Sequence, residues 1–291
     1  MHTRSLGPGA PAVFAIGFGA MPLSIQGRPD ETVGVRVLHS SLDAGVTFID
    51  TANVYCLDNG DIGHNERLIA RALETWPCAD KSVLVGTKGG LTRPRGRWES
   101  DARPDRLRRA CEQSLKALGV DCIDLYQLHA PDPRVPLTDS VGVIAELQHE
   151  GKIRWVGLSN VSVDEIKIAE SMVPIITVQN RLNPFFRQAI DDGVVDYCTR
   201  RGIGFLAYSP LGGRQLNKTL LDHPTLKPIA GRHGVSPHAV VLAWILAQGP
   251  NVVPIPGARR PEHVVDSANA VKVVLDEQEL AAIDQAKFAR A

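Results

Sequence analysis

The composition describes a folded globular chain with no strong charge bias. Its 291 residues contain 44% hydrophobic side chains, enough to bury a large core, and 32 basic residues balance 32 acidic ones. No basic run with interleaved aromatic residues occurs, which argues against a nucleic-acid or membrane partner. The five cysteines form no C-x-x-C pair, so we expect neither a disulfide framework nor a cysteine zinc site.

The chain starts with an apolar stretch, residues 10–20, which a first strand explains better than a signal peptide. Gly17 and Gly19 interrupt the stretch, and Val13 and Ile16 favour β-structure. No apolar run reaches the roughly 20 residues that a membrane-spanning helix needs. We therefore expect a cytoplasmic protein.

Short β-rich runs alternate with longer amphipathic segments along the rest of the chain, a pattern that predicts repeated βα units and a parallel sheet. Capping pairs such as Ser162 with Glu165 and Asp276 with Glu279 mark helix starts. The predicted strands cover residues 13–21, 46–50, 82–87, 123–128, 153–157, 175–179, 203–208 and 252–255.

Eight strands, each followed by a helix, predict a (β/α)8 TIM barrel, because the chain is near the roughly 250 residues typical of that fold. An open doubly wound sheet is the alternative. No linker or longer repeat interrupts the pattern, so residues 1–291 are expected to form a single domain. Two long connections, residues 89–104 and 209–236, are expected to bind ligands at the C-terminal face of the barrel.

Polar residues stand at the C-terminal ends of the predicted strands, where barrel enzymes place their active sites. Asp50 ends the second strand, Lys88 follows the third, and His129 follows the fourth. Tyr55 comes five positions after Asp50, in the loop above the barrel. We expect these four side chains to converge on one cavity.

The four residue types suit a general acid with its tuning groups. A tyrosine titrates near pH 10, so it donates a proton reluctantly unless a cation such as Lys88 stabilises its phenolate. Asp50 is the natural counter-ion of a desolvated lysine, and His129 can bond the carbonyl oxygen that Tyr55 protonates. Taken singly, each residue is more often a structural ion pair or hydrogen-bonding group. Together they fit a carbonyl that receives a hydride.

With these residues and their neighbours, the chain resembles the aldo-keto reductase superfamily over essentially its whole length. The resemblance implies an NADP-dependent oxidoreductase that interconverts carbonyl and CH–OH groups, with Asp50, Tyr55, Lys88 and His129 as a catalytic tetrad. Tyr55 would be the general acid in reduction and the general base in oxidation. The matching fragments are residues 17–20 (GFGA), 48–55 (FIDTANVY), 86–88 (GTK), 124–129 (DLYQLH), 157–160 (GLSN), 178–180 (VQN), 207–211 (AYSPL) and 255–260 (IPGARR).

The resemblance also implies a nicotinamide cofactor bound without the Rossmann glycine fingerprint. Ser159, Asn160 and Gln179 would bond the carboxamide, and Tyr208 would stack on the nicotinamide ring. The remaining implied cofactor positions are Gly19, Ala20, Met21, Asp50, Ser209, Pro210, Leu211, Gly213, Ile255, Pro256, Gly257, Ala258, Arg259, Arg260, His263, Asp266 and Ser267.

Arg259 and Arg260, at the start of a helix, offer forked donors for a 2′-phosphate, which favours NADP(H) over NAD(H). The alternative is a solvated pair on a surface helix. The segment departs from the family's commonest pattern at His263, Asp266 and Ser267. A neutral imidazole contacts phosphate more weakly than a guanidinium does, so these departures predict a weaker NADP preference.

Substrate choice is assigned to the loops above the barrel. Trp98, an apolar residue in an otherwise charged loop, is expected to line the pocket with Tyr55 and His129, the alternative being a loop anchor on the barrel rim. The expected ligand is a small carbonyl or alcohol, no metal is required, and the chain is expected to act as a monomer or a small homo-oligomer. Two other functions stay open: a barrel aldolase that uses Lys88 as a Schiff-base nucleophile, and a cofactor-binding regulatory subunit with negligible turnover.

Overall fold

The computed structural model describes residues 2–78 and 82–289, and its centre is a curved parallel sheet surrounded by helices. The strands are β1 (Thr3–Ser5), β2 (Ala12–Phe14), β3 (Phe18–Gly19), β4 (Phe48–Asp50), β5 (Leu84–Gly89), β6 (Leu91–Thr92), β7 (Glu99–Ser100), β8 (Ile123–Leu128), β9 (Ile153–Ser159), β10 (Ile175–Arg181), β11 (Gly204–Tyr208) and β12 (Val252–Pro254). The helices are α1 (Glu31–Asp43), α2 (His64–Thr75), α3 (Pro104–Leu118), α4 (Leu137–His149), α5 (Val163–Glu170), α6 (Gln188–Asp191), α7 (Val194–Arg201), α8 (Gly213–Leu216), α9 (Leu226–His233), α10 (Pro237–Leu246), α11 (Pro261–Asn269) and α12 (Glu277–Gln285).

Eight of these strands pair in parallel, in the order β3, β4, β5, β8, β9, β10, β11 and β12. Backbone hydrogen bonds also join the two ends of this sheet. The N–H of Gly17 donates to the carbonyl of Pro254, and the N–H of Gly19 donates to the carbonyl of Pro256, both at 3.0 Å. The sheet is therefore closed into a barrel, which confirms the (β/α)8 prediction over the open-sheet alternative.

The barrel interior is an apolar core that a hairpin covers at the N-terminal end of the strands. Leu6 and Val13, from the β1–β2 hairpin, pack into the N-terminal end of this core, and the carbonyl of Leu6 lies directly against Gly204. A ligand therefore has to approach from the C-terminal end of the strands. The barrel strands fill the interior with Phe48, Leu84, Leu125, Ile176, Leu206 and Val253.

The first predicted strand, residues 13–21, is wrong in its bounds. Ala12–Phe14 pairs antiparallel with β1, only Phe18–Gly19 enters the barrel, and Met21–Leu23 forms a turn of 3₁₀ helix. The apolar pattern of a hairpin strand is the same as that of a buried barrel strand, so pattern alone cannot divide this segment. The other seven predicted strands are confirmed, with ends displaced by at most two residues.

Several helices begin where the capping patterns predict. Ser162 and Asp276 form capping boxes with Glu165 and Glu279, the third residues of α5 and α12. Each box satisfies backbone N–H groups that the first helical turn leaves without partners. Among the residues that the structure describes, no helix has both the length and the apolar character needed to cross a bilayer.

Candidate active site

The four predicted catalytic residues meet at the C-terminal end of the barrel. Asp50 is the last residue of β4, Lys88 lies near the end of β5, and His129 follows β8. These strands are neighbours in the sheet, so their ends deliver the three side chains to one place. Tyr55 reaches the same place from the loop after β4, where its N–H bonds to the carbonyl of Ala52 at 3.0 Å.

Lys88 is the centre of the hydrogen-bonded network. Its Nζ lies 2.7 Å from both carboxylate oxygens of Asp50, 2.7 Å from the carbonyl oxygen of Thr51 and 3.3 Å from the hydroxyl of Tyr55. The amide of Gln179 donates to Asp50 Oδ2 at 2.7 Å. The Thr51 contact escaped sequence analysis because a backbone carbonyl leaves no signal in residue type.

Burial sets the protonation of this network. It raises the pKa of Asp50 and lowers that of Lys88, while the attraction between the two groups opposes both shifts. It also raises the pKa of Tyr55 well above its usual 10, and the charge of Asp50 adds to this. The direction is opposite to the lowering expected from Lys88, because burial disfavours the phenolate and the negative charge of Asp50 disfavours it further. Tyr55 is therefore a neutral phenol at pH 7, able to give up a proton.

The imidazole of His129 stands beside the phenol. The ring centroids of Tyr55 and His129 are 5.7 Å apart, and the rings are nearly perpendicular. Burial, with a contribution from the charge of Lys88, lowers the pKa of His129 well below 6.5. Its Nδ1 is buried and has no hydrogen-bond partner among the described residues. The ring is thus neutral and has a nitrogen that no protein group uses.

The residues expected at the nicotinamide end lie together on β9, β10 and β11. Asn160 donates to the backbone carbonyl of His129 at 2.9 Å and to Ser159 Oγ at 3.1 Å, and it accepts from the hydroxyl of Tyr208 at 2.8 Å. Asn160 has a φ of +59°, a left-handed conformation that asparagine tolerates better than most residues. Gln179 is held by Asp50, so this group is linked directly to the Lys88 network.

The turn after β11 has the backbone conformation of an anion-binding loop. Ser209, Gly212 and Gly213 have φ values of +49°, +80° and +75°. Successive residues whose backbone conformations have opposite handedness can point several N–H groups to the same side, as in anion-binding turns. Pro210 is buried and Leu211 packs against the hydrophobic cores, so these two predicted residues have only backbone atoms to offer a ligand.

In the segment after β12, residues 255–258 pack at the barrel seam, and the charged residues follow them. Ile255 and Ala258 are buried in hydrophobic clusters, and Pro256 accepts the hydrogen bond from Gly19. A Cβ on Gly257 would lie 2.6 Å from the carbonyl oxygen of Gly19. Close packing at the barrel seam therefore explains both glycines without a ligand. Ala20 and Met21 follow directly, with the Ala20 N–H bonded to the Asp50 carbonyl at 2.9 Å.

The predicted phosphate residues near α11 have different surroundings. Arg259 donates to the carbonyls of Pro22 and Gln26, both at 3.0 Å, and so holds the loop after β3. Asp266 accepts from the Ser236 hydroxyl at 2.7 Å and thereby supports the start of α10. Arg260 immediately precedes α11, but its side chain makes no capping hydrogen bond and the residue is exposed. Of the two remaining predicted residues, His263 is exposed and Ser267 is buried.

A further arginine, Arg214 at the start of α8, was missed from sequence. Its Nη1 and the Nη1 of Arg259 both lie 3.6 Å from the position that a Cβ on Gly27 would take. The charge of Arg214 contributes to lowering the pKa of Arg259, after burial. Two guanidinium groups from the segments that follow the neighbouring strands β11 and β12 thus approach one another, which an anion between them would favour.

Trp98 lies beside Tyr55 and His129. Its indole is edge-to-face with Tyr55 at 6.2 Å and with His129 at 6.4 Å, measured between ring centroids. The residue is 46% exposed, and the guanidinium of Arg93 lies 3.8 Å from its ring. Arg93 was not singled out from sequence, since the loop contains several arginines. In residues 2–78 and 82–289, no three His, Cys, Asp or Glu side chains are grouped to hold a metal ion.

Comparison with known proteins agrees with this geometry. The model of the aldo/keto reductase family matches residues 15–287. The chain belongs to that family. It is 33% identical over 303 residues to the probable aldo-keto reductase 1 of Glycine max, with 94% of this chain and 85% of the relative covered. The resemblance seen in the sequence fragments is thereby confirmed, and so is the oxidoreductase class.

Solved structures of aldo-keto reductases have the same fold. A thermostable aldo-keto reductase in complex with the inhibitor epalrestat matches with a TM-score of 0.82 and 32% identity, covering 98% of this chain and 99% of that chain. An aldo/keto reductase from Klebsiella pneumoniae in complex with NADP and acetate matches with a TM-score of 0.81 and 28% identity, covering 98% and 95%. The barrel of this aldo-keto reductase is therefore that of its family.

Proposed function

We propose that this aldo-keto reductase transfers a hydride between NADP(H) and a small carbonyl or alcohol substrate, with Tyr55 as its general acid and base. The observation that carries the proposal is the buried contact of the Tyr55 hydroxyl with Lys88 at 3.3 Å, beside the neutral ring of His129. A proton donor, a cation that stabilises its conjugate base and a neutral hydrogen-bonding group then face the same small space.

In the reduction, NADPH when bound supplies the hydride to the carbonyl carbon. The hydroxyl of Tyr55 gives its proton to the carbonyl oxygen, and His129 donates a hydrogen bond to the same oxygen. As the phenol loses its proton, negative charge forms next to the ammonium of Lys88. Asp50 keeps that ammonium charged and in place through its two 2.7 Å contacts. Alcohol oxidation uses the same groups in reverse.

The chain has donors that fit a phosphorylated dinucleotide. Gly212 and Gly213 have left-handed backbone conformations that suit a turn around phosphate, and α11 begins without a side-chain cap, which leaves its first N–H groups free for an anion. Arg214 and Arg259 add two positive charges. The complex of the Klebsiella pneumoniae relative with NADP supports the same cofactor here.

We assign the preference for NADP(H) over NAD(H) to Arg259 and Arg260. A 2′-phosphate would compete with the two loop carbonyls to which Arg259 now donates. Because those hydrogen bonds are lost on binding, and because His263 is a weaker phosphate ligand than arginine, the proposed preference is modest.

The aldolase alternative fits the geometry poorly. Lys88 is fully buried, and its ammonium contacts Asp50, Thr51 and Tyr55, which leaves no free amine to attack a carbonyl. A Schiff-base mechanism needs an accessible, unprotonated amine. The regulatory alternative, by contrast, requires the same cofactor site and is separated from the enzyme only by turnover.

The deciding experiment is the oxidation of NADPH by the purified protein with a panel of aldehydes and ketones. Tyr55→Phe should lower kcat about 10²–10⁴-fold, the range for loss of a general acid, while the Kd of NADPH stays within about twofold. Tyr197→Phe is the matched control, because the Tyr197 hydroxyl bonds to Glu170 away from the site. Full activity of Tyr55→Phe rules out the assigned role, and wild-type binding without turnover supports the regulatory alternative.

The cofactor preference has its own test. Arg259→Ala should raise the Kd of NADPH about tenfold, as expected for loss of a charge-assisted contact, and leave the Kd of NADH nearly unchanged. Equal weakening of both cofactors would show that Arg259 holds the loop and does not read the 2′-phosphate.

A further inference from the structure

We infer that Arg93 makes this active site selective for substrates that carry a carboxylate in addition to the reacting carbonyl or alcohol group. The inference rests on the proposed function and names the substrate class of the same site. Arg93 is a buried cation that has no acidic partner among the described residues.

Arg93 is only 2% exposed, yet its charge is not neutralised. Its Nη2 donates to Gln26 Oε1 at 3.1 Å and to the carbonyl of Cys56 at 3.3 Å, while its Nε is buried and has no hydrogen-bond partner in the part of the chain that the structure describes. Within residues 2–78 and 82–289, no ion pair includes it. An isolated buried charge carries a large desolvation penalty, so such a group usually has an acidic partner.

Acidic residues in the loop around Cys56 and in the Arg93 hairpin are engaged elsewhere, Glu99 with Arg97 at 2.9 Å. Asp61 pairs with Arg28 at 2.5 Å, and Asp58 accepts the N–H of Gly60 at 2.8 Å. None of these carboxylates compensates Arg93. A guanidinium is charged at any pH at which the protein is folded, and no carboxylate in residues 2–78 and 82–289 pairs with this one, so an anionic ligand would compensate it.

Arg93 lies close to the residues that are proposed to contact the substrate. Its guanidinium carbon lies 3.8 Å from the ring of Trp98, and the same ring contacts Tyr55 and His129 edge-on. Only one indole therefore separates the cation from the reacting groups. Trp98 is 46% exposed, and the proposed contact between the guanidinium and a substrate carboxylate requires this indole to move aside.

Arg93 is held in place before any substrate arrives. Its backbone N–H and the hydroxyl of Thr92 both donate to Asn59 Oδ1, at 2.8 and 3.0 Å. On the other side of the β6–β7 hairpin, the N–H of Asp101 donates to the carbonyl of Gly90 at 2.9 Å. A cation fixed in this way loses little freedom when it binds an anion, which favours tight and selective pairing.

The test compares 4-carboxybenzaldehyde with methyl 4-formylbenzoate, its neutral ester, by kcat/KM with NADPH. The wild-type enzyme should favour the carboxylate roughly tenfold or more, the value of one hydrogen bond to a charged group. Arg93→Gln and Arg93→Met should bring the ratio close to one. The control is Arg95→Gln, which removes the same charge from an exposed position of the same turn and should keep the ratio. Arg93→Lys, which retains the charge, should keep most of the preference.

Three results would overturn the inference: a wild-type ratio near one, a high ratio that persists in both Arg93→Gln and Arg93→Met, or a preference lost in a folded Arg93→Lys. If no form reduces either aldehyde, the proposed function fails instead. The charge inference is then decided by calorimetry of 4-carboxybenzyl alcohol and its methyl ester on the protein with NADP⁺. Tighter binding of the acid that depends on Arg93 supports it, and equal binding rejects it.

Discussion

Replacing Lys88 by methionine should strongly destabilise the fold, because it leaves the carboxylate of Asp50 buried without its ion-pair partner. In the wild type, Lys88 donates to both carboxylate oxygens at 2.7 Å, and Asp50 is only 2% exposed. The variant retains the Gln179 amide, at 2.7 Å, as a donor to Asp50. Removing one partner of a buried ion pair costs about 3–5 kcal/mol, and we expect this loss in the free energy of unfolding at pH 8.

The size of the loss should depend on pH because Asp50 can take up a proton. Burial already raises its pKa above 3.8, and the variant lacks the attraction and hydrogen bond of Lys88 that lower it. A carboxyl group whose pKa is higher in the folded protein than in the unfolded chain stabilises the folded state at pH values below the pKa of the unfolded chain. This stabilisation is lost as the pH rises through the pKa of the folded protein. Lys88→Met should therefore be closest to the wild type in acid and furthest from it above neutral pH.

Urea unfolding followed by circular dichroism at pH 5 and pH 8 measures both effects. The double variant Asp50→Asn/Lys88→Met is the control, since it buries no charge and should recover much of the lost stability at pH 8. The reasoning is wrong if the single variant loses less than about 1 kcal/mol at pH 8, the value of an exposed pair. It is also wrong if the loss is the same at both pH values.

Three further predictions concern the barrel seam, a helix cap and the active-site imidazole. Gly19→Ala should lower the free energy of unfolding by about 1–3 kcal/mol, measured by urea unfolding, because the added Cβ would lie 2.6 Å from the carbonyl oxygen of Ile255. Gly231→Ala is the control: no atom lies near its Cβ position on α9, so this variant should raise the free energy of unfolding by about 0.5–1 kcal/mol. Asp276→Ala should cost about 1 kcal/mol through loss of the α12 capping box, measured by thermal unfolding, and an unchanged Tm would show that the cap contributes nothing. Since the pKa of His129 lies well below 6.5, kcat/KM should show no acid inflection near pH 6.5; an inflection there that disappears in His129→Gln would contradict a neutral imidazole.

Some features of the candidate site could be predicted from the sequence, and others could not. Asp50, Lys88 and His129 stand next to strand ends, and a parallel barrel necessarily brings neighbouring strand ends together, so their convergence followed from local pattern. The roles of these side chains and of the cofactor residues stay predictions, as does the assignment of residues 1–291 to a single domain. The pKa of Tyr55 was not predictable, because it depends first on how deeply the hydroxyl is buried and then on the nearby charge of Asp50.

The sequence by itself determined the class of fold, several helix caps and the positions of Asp50, Lys88 and His129 next to strand ends, because each depends on local periodicity or on a few neighbours along the chain. Only the tertiary structure decided that residues 12–14 form a hairpin strand outside the barrel and that Gly19 and Gly257 are required by close packing. It also decided that Arg93 is a buried cation with no acidic partner among the described residues. These features depend on contacts between segments far apart in the chain. Burial and charge compensation are properties of that packing, and residue type alone does not contain them.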